Sequence, residues 1–360
     1  MKTIRDIIDF KNKKVLLRVD FDIPIGKDFV IADPFRILKQ KSFIDYLVNQ
    51  GARVVMIAHI SATDSFAELV PQLHILLGHE VGFIKKIEDI AEYFENYQGV
   101  GLLENIRQFS GEIDNDETFA KSLSNGFDLY INNAFAVCHR NHASVSAITK
   151  FLPSYAGPLI EEETAKLQQA IQSPKGKKIV IIGGAKASTK VPVIKNFIDK
   201  AEKILLGGVV ANDFLKAKGA DVRNSIIDDN YQEVLAGLDL NNPMLLAPKD
   251  FNIFENKILD IGRETAKEYT EIIKNSKMII WNGPMGMFED DRFAGGTKAV
   301  AKTIADSTGF KVAGGGDTIA ALNKFGLIGK FDFISTGGGA MLEFLSGNRL
   351  PGLEALGYYS

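Results

Sequence analysis

Cysteine is nearly absent: Cys138 stands alone among 360 residues. A single thiol excludes an internal disulfide framework and suits a reducing compartment, so a cytoplasmic location is expected. Long apolar runs are missing too, and none reaches the ~18 residues of a membrane span. The first stretch, Met1 to Lys14, mixes charged and apolar residues and has no signal-like apolar core. The net charge of only -3 offers no electrostatic case for nucleic acid or for a polybasic attachment to membranes. Histidine is scarce, and His59, His74, His79, His139 and His142 show no zinc-like spacing with cysteine or carboxylates. Repeats and low-complexity stretches are also lacking. The expectation is a monomer that works on small molecules.

What is present is the alternation of an α/β protein. Short apolar runs at Val15–Asp20, Arg53–Ala58, Gly101–Glu104 and Leu129–Asn132 read as strands. So do Ile179–Ile182, Lys203–Leu206, Met244–Leu246, Met278–Trp281, Lys311–Ala313 and Phe331–Ser335. Helical patterns lie between them, including Ile37 to Gln50 and Asp116 to Asn125, and the alternation predicts parallel sheets. The chain is long enough for two cores. Two prolines and a glycine in residues 151–158 place a boundary there, followed by an acidic helix from near Glu161 to Ser173. The halves differ in chemistry, because all five histidines precede the boundary and nearly all glycine clusters follow it.

Lys177 to Lys190 organises the second half: a β-branched run, then Gly183-Gly184, then Lys186 and Lys190 around Ser188-Thr189, with Pro192 beyond. Ser or Thr followed by Pro predicts a helix start. A buried strand, a glycine turn and a helix N-terminus form an anion site, since unpaired N–H groups and the helix dipole face it. Neither the Walker nor the Gly-x-Gly-x-x-Gly pattern is present. A surface glycine turn with solvated lysines is the simpler alternative.

Ligands of open parallel sheets sit at the carboxyl ends of strands, and here those ends are polar or glycine-rich in both halves. Arg36 follows Asp33-Pro34 at a helix start, where a cation opposes the dipole, which suggests that it faces an anion. Arg107 and Arg140 follow strand ends and are read as ligand-facing. Arg18 reads as a structural ion-pair partner, His139 and His142 as packing or capping groups or ligands, and His74 and His79 as surface residues. Asp317 after three glycines suits either Mg²⁺ on a nucleotide or a helix N-cap. Glu289 is either a ribose contact or a surface carboxylate.

Seven motifs in order carry a resemblance: Arg18-Val-Asp-Phe-Asp-Ile-Pro, Leu103-Glu-Asn-Ile-Arg, His139-Arg-Asn-His-Ala-Ser, Gly183-Gly-Ala-Lys, Trp281-Asn-Gly-Pro-Met-Gly, Gly314-Gly-Gly-Asp and Ser335-Thr-Gly-Gly-Gly-Ala. The chain resembles phosphoglycerate kinase over essentially its whole length. The resemblance implies two doubly wound, Rossmann-like parallel-sheet lobes joined by a helix. Residues 1–155 would form the acceptor lobe, 156–174 the connecting helix, 175–345 the nucleotide lobe and 346–360 a tail returning to the first lobe. It implies reversible phosphoryl transfer between ATP and the carboxylate of 3-phosphoglycerate, with Mg²⁺, as a glycolytic step. Carried over by position, the triose side is Asp20, Asp22, Arg36, His59, Arg107 and Arg140. The nucleotide side is Gly183, Gly184, Lys186, Lys190, Asn282, Glu289, Gly315, Gly316, Asp317 and Thr318, with Asp317 also on the metal. Arg36, Lys186, Gly316 and Gly339 would line the transfer itself.

Two departures fall on the acceptor side. Asp22 stands where the family has Asn, and His59-Ile60-Ser61-Ala62-Thr63 stands for His-Leu-Gly-Arg-Pro, so its arginine is missing at Ala62. A lost charge-assisted contact costs ~1.5–3 kcal/mol, so a raised KM for 3-phosphoglycerate is expected. The alternatives are a kinase of another small carboxylate and a regulatory nucleotide-binding protein with little turnover.

Overall fold

A computed structural model describes residues 1–360, and the chain divides into two compact units. Unit 1 comprises Met1–Thr164 with Arg349–Ser360, and unit 2 comprises Ala165–Asn348. The division therefore falls inside the helix Pro158–Gln172. No helix is long and apolar enough to cross a membrane.

Unit 1 is built on β1 (Lys14–Arg18), β2 (Arg53–Ile57), β3 (Val81–Ile84), β4 (Val100–Leu103), β5 (Leu129–Asn132) and β6 (Ser154–Ala156). These pair in the order β3-β4-β2-β1-β5-β6, all parallel. The central strands read as unbroken apolar runs because both faces are covered. In and just after β1, Val15, Leu17 and Val19 enter one core cluster while Leu16 enters the other. The C-terminal residues belong to this unit through backbone bonds, Gly352 N–H donating to the Cys138 carbonyl at 2.9 Å. The N-terminal ammonium donates to the Gly357 carbonyl at 2.7 Å.

Unit 2 is built on β7 (Lys178–Ile182), β8 (Lys203–Leu206), β9 (Leu245–Leu246), β10 (Phe251–Phe254), β11 (Lys257–Ile261), β12 (Met278–Asn282), β13 (Phe310–Gly314) and β14 (Phe333–Ser335). Six of them form the parallel order β14-β13-β12-β7-β8-β9, while β10 and β11 make a separate antiparallel hairpin. Starting from β7, this is the 3-2-1-4-5-6 order of dinucleotide-binding folds, with its reversal between β7 and β12. The expected parallel α/β architecture is present in both units. β3, β6 and the hairpin were not expected from the sequence.

One local expectation is corrected. The helix after β7 runs Ala187–Phe197 with Pro192 well inside it, and its N-cap is Lys186 in the left-handed region (φ 60°, ψ 74°). Neither Ser188 nor Thr189 caps it. Thr189 Oγ1 donates back to the Lys186 carbonyl at 3.0 Å instead.

Candidate functional site

In unit 2, three strand-end loops are laced together by their backbones at the sheet's reversal point. Gly183 N–H donates to the Asn282 carbonyl and Gly184 N–H to the Pro284 carbonyl. Gly208 N–H donates to the Met285 carbonyl and Val209 N–H to the Gly184 carbonyl, each at 3.0 Å. Glycine is required at 208, because φ is +57° and an added Cβ would lie 2.6 Å from Gly184 N and 2.8 Å from its carbonyl oxygen. The glycines thus allow the loops to approach, and their close approach leaves backbone rather than side chains at the strand ends. Helices begin just after β7, β8, β13 and β14, at Ala187, Gly208, Gly316 and Gly339. Their N-termini collect on the carboxyl edge of one sheet, where an anion is favoured.

Beside these loops lies a cavity of about 350 Å³, bordered by Gly184, Gly208, Asn212, Met285, Glu289 and Asp317. Its volume and its few polar groups suit a small-molecule ligand. Lys190 is buried, and its ammonium donates to the Ala185 carbonyl. Burial pushes its pKa down, while Asp317 and Asp228 oppose that shift. Lys186, Gly316 and Asp317 are exposed at the starts of two helices. Asn282 and Thr318 are buried and hold loops: Asn282 Nδ2 donates to the Gly314 carbonyl at 2.8 Å, and Thr318 Oγ1 accepts from Gly283 N–H at 2.7 Å. Gly315, with φ +95°, packs over the Asn282 amide. No three His, Cys, Asp or Glu side chains gather closely enough to hold a metal by themselves. Asp317 offers one carboxylate, which fits a Mg²⁺ carried largely by phosphate oxygens and water.

In unit 1, cations converge on the carboxyl ends of β1, β2, β4 and β5. Arg36 Nη1 pairs with Asp20 Oδ2 at 3.2 Å and donates to the Asp22 carbonyl at 3.1 Å. Arg18 is buried, but its partners are not the carboxylate expected of a strand arginine. It donates to Ser144 Oγ (3.2 Å), to the Val19 and Ile57 carbonyls, and to His59 Nδ1 (3.3 Å). Ser144 Oγ then donates to the buried Glu112 at 2.7 Å. His59 Nε2 lies 3.3 Å from Asp22 Oδ2. Burial raises the Asp22 pKa, and hydrogen bonds from His59 and Ser61 outweigh it, so the carboxyl sits below its usual range. His59 is pushed down, first by burial and then by Arg18.

Arg107 and Arg140 add to this field, with Asp22 and Glu112 acting against it at Arg107. Burial lowers the Arg107 pKa, Asp22 opposes that shift, and Arg18 and Arg140 lower it further. His142, read from sequence as packing, capping or ligand, belongs to the same field. Burial and then Arg107, Arg18 and Arg140 push it from 6.5 to about 4. Arg140 itself is exposed. A pocket that resists a further positive charge is one that favours an anion. His79, expected as a plain surface residue, instead lies 2.6 Å from Asp45.

The sign for stability follows from His142. Between about pH 6.5 and 4 the unfolded chain binds a proton there that the folded chain does not. Its contribution is present above pH 6.5 and is lost as the pH falls towards 4. Asp213 and Asp260, both raised to about 6 by burial, run the opposite way over an overlapping range. A global melting curve therefore mixes the signs, and the site itself is better followed by NMR. The His142 ring resonance is expected to titrate well below 6.5, and to move upwards when inorganic phosphate is added. A midpoint at 6.5 that phosphate leaves unmoved would contradict the anion field.

Sequence reasoning missed Ser61, Glu104 and Asn105 as builders of this site. Glu104 accepts from Ser65 Oγ (2.6 Å) and from the N–H groups of Phe66 and Asn105. Asn105 Nδ2 donates to the Ile60 carbonyl at 2.9 Å, and its Oδ1 accepts from Arg107 N–H. The motif Leu103-Glu-Asn-Ile-Arg thereby welds the loop after β2 to the turn that presents Arg107. The polar pair Glu104-Asn105, just ahead of an arginine read from sequence as ligand-facing, was the available signal.

Comparison with known proteins matches residues 4–348 to the family model for phosphoglycerate kinase. A phosphoglycerate kinase of Pseudothermotoga lettingae is 39% identical, covering 98% of each chain. One from Borreliella burgdorferi is 37% identical over 99% of each. Among solved structures, the phosphoglycerate kinase of Pyrococcus horikoshii superposes with a TM-score of 0.89 at 34% identity, covering 99% of this chain and 98% of that one. That of Coxiella burnetii gives 0.84 at 30% identity, with the same shares covered.

Proposed function

The chain belongs to the phosphoglycerate kinase family, and from that premise we propose how its two units divide reversible phosphoryl transfer between ATP and the carboxylate of 3-phosphoglycerate. Unit 2 takes the nucleotide. Gly183 and Gly184 shape the turn, their own N–H groups donating to the Asn282 and Pro284 carbonyls. Gly315 and Gly316 offer backbone N–H groups to phosphates, Lys190 and Lys186 add charge, and Glu289 meets the ribose. Asn282 and Thr318 keep the loops in register. Mg²⁺ would arrive with the nucleotide, with Asp317 as its protein ligand, and would supply charge neutralisation on the polyphosphate.

Unit 1 takes the triose through Arg36, Arg107 and Arg140, with Asp20, Asp22 and His59 at the same strand ends holding the groups around them in place. The acceptor carboxylate is already ionised at neutral pH, so no general base is required. The remaining task is to bring two polyanions together and stabilise the charge on the moving phosphoryl. We assign that task to Arg36 from one unit and Lys186 from the other, with Gly316 and Gly339 along the path. Because the ligands are held by different units, turnover requires closure about the connecting helix, which also excludes water. The enzyme is taken to be a cytoplasmic monomer.

The observation that carries this reading is the convergence of Arg18, Arg36, Arg107 and Arg140 on the strand ends of unit 1, in a chain whose other unit has a switch-point glycine cradle. A coupled assay of ADP release tests it. Release is expected to require 3-phosphoglycerate. Equal release with a different small carboxylate would redirect the acceptor assignment, and nucleotide binding without turnover would overturn the enzymatic one.

A further inference from the structure

The loop that departs from the family pattern, Ser61-Ala62-Thr63, is tied into the acceptor site by a continuous chain of bonds. Arginine has donors only, so His59 Nδ1 must accept from Arg18 Nη2 and the ring proton lies on Nε2. That Nε2–H faces Asp22 Oδ2 at 3.3 Å, while Ser61 N–H donates to Asp22 Oδ1 at 2.8 Å. A carboxylate at 22 accepts from both donors. An amide there would offer one acceptor and turn its NH₂ group onto a donor, leaving one bond unmade. Ser61 Oγ in turn accepts from Arg107 Nη1 at 3.3 Å. The bonds thus link the ends of β1, β2 and β4 through Asp22, Ser61 and Arg107.

This accounts for both departures with one arrangement. The negative charge of Asp22, which alone would repel an anionic substrate, is spent on two protein donors. The hydroxyl of Ser61, which the glycine of the family pattern lacks, holds a guanidinium close to the loop position where the missing arginine would have started. We propose that Asp22 and Ser61 are a positioning pair that sets Arg107 against the anionic group of the acceptor, taking the part of the arginine missing at Ala62 and so determining affinity for the triose. The inference rests on unit 1 being the acceptor site.

Steady-state kinetics on the full-length enzyme tests it. Ser61→Ala is expected to raise the KM for 3-phosphoglycerate about tenfold, the scale of one charge-assisted contact, with kcat within about twofold and KM for ATP unchanged. Ser61→Thr, which keeps the hydroxyl at an exposed position, is expected to restore the wild-type KM. Asp22→Asn should raise the same KM, and Ser61→Ala with Asp22→Asn should be no worse than the worse single change, as coupled groups require. An unchanged KM in Ser61→Ala, alongside a raised one in Arg107→Ala, would overturn the positioning pair and leave the acceptor site standing. No effect of Arg107→Ala, or no turnover dependent on 3-phosphoglycerate in the wild type, would overturn the acceptor reading and this inference with it.

Discussion

Lys186→Ala is expected to lower kcat by about 10²–10³-fold, the usual cost of removing one fixed donor from a charge-developing centre, while the Kd for ADP stays within about tenfold. The reason lies in how Lys186 is held. It caps the helix Ala187–Phe197 from the left-handed region, at φ 60°, a conformation that costs a non-glycine residue ~1–2 kcal/mol. Its side chain is exposed, whereas Lys190, one turn on, is buried against a carbonyl. On the proposed reading Lys190 is therefore the standing part of the cradle, and Lys186 is the charge that follows the phosphoryl group. A group engaged mainly in the transition state affects kcat more than binding. The coupled assay gives kcat and calorimetry gives Kd. An unchanged kcat would remove Lys186 from the transfer.

The second large effect is structural. Gly208→Ala places a Cβ 2.6 Å from Gly184 N and 3.0 Å from its Cα, at a backbone φ of +57°. Backbone cannot rotate away as a long side chain would, so the loops after β7 and β8 must part. The left-handed conformation costs ~1–2 kcal/mol, and each lost loop hydrogen bond costs roughly 0.5–1.5 kcal/mol more. Nucleotide affinity is expected to fall at least 100-fold, with 3-phosphoglycerate binding to the same full-length protein retained. Gly219→Ala is the control, because Gly219 has φ +82° but nothing within 4 Å of an added Cβ. It bears the conformational cost without the collision and should keep its nucleotide. Equal affinity in Gly208→Ala and wild type would contradict the cradle.

The legible parts of the fold were those where one physical signal dominates. β7 and β12 are apolar apart from Lys178 and Asn282 at their ends because both sheet faces are buried, and the glycines that follow them mark the ends. β3 was hidden for a packing reason: its Gly82 makes room for the Tyr93 ring, so the run reads as interrupted. β6 lies in the Pro- and Gly-rich stretch that reads as a boundary. The β10–β11 hairpin turns through Glu255 and Asn256 at φ 45° and 59°, without the Asn-Gly or Asp-Gly pair that usually marks such a turn.

The site followed the same division. Charged residues after strand ends were visible one by one, since position relative to a parallel sheet suffices to single them out. Their partners were not visible. Asn282 and Thr318 carry polar groups in the right motifs, yet their bonds run to loop backbone, which only the folded register decides. Ser61 sits 46 residues from Arg107 in sequence and reaches it solely because β2 and β4 are neighbours.

The central claim is transfer of a phosphoryl group from nucleotide to a carboxylate, and trapping the product tests it most directly. With ATP, Mg²⁺ and 3-phosphoglycerate in the presence of hydroxylamine, an acyl phosphate is captured as a hydroxamate. The account predicts hydroxamate in proportion to ADP released, none when 3-phosphoglycerate is omitted, and strong loss in Arg36→Ala. ADP release accompanied by inorganic phosphate and no hydroxamate would contradict it.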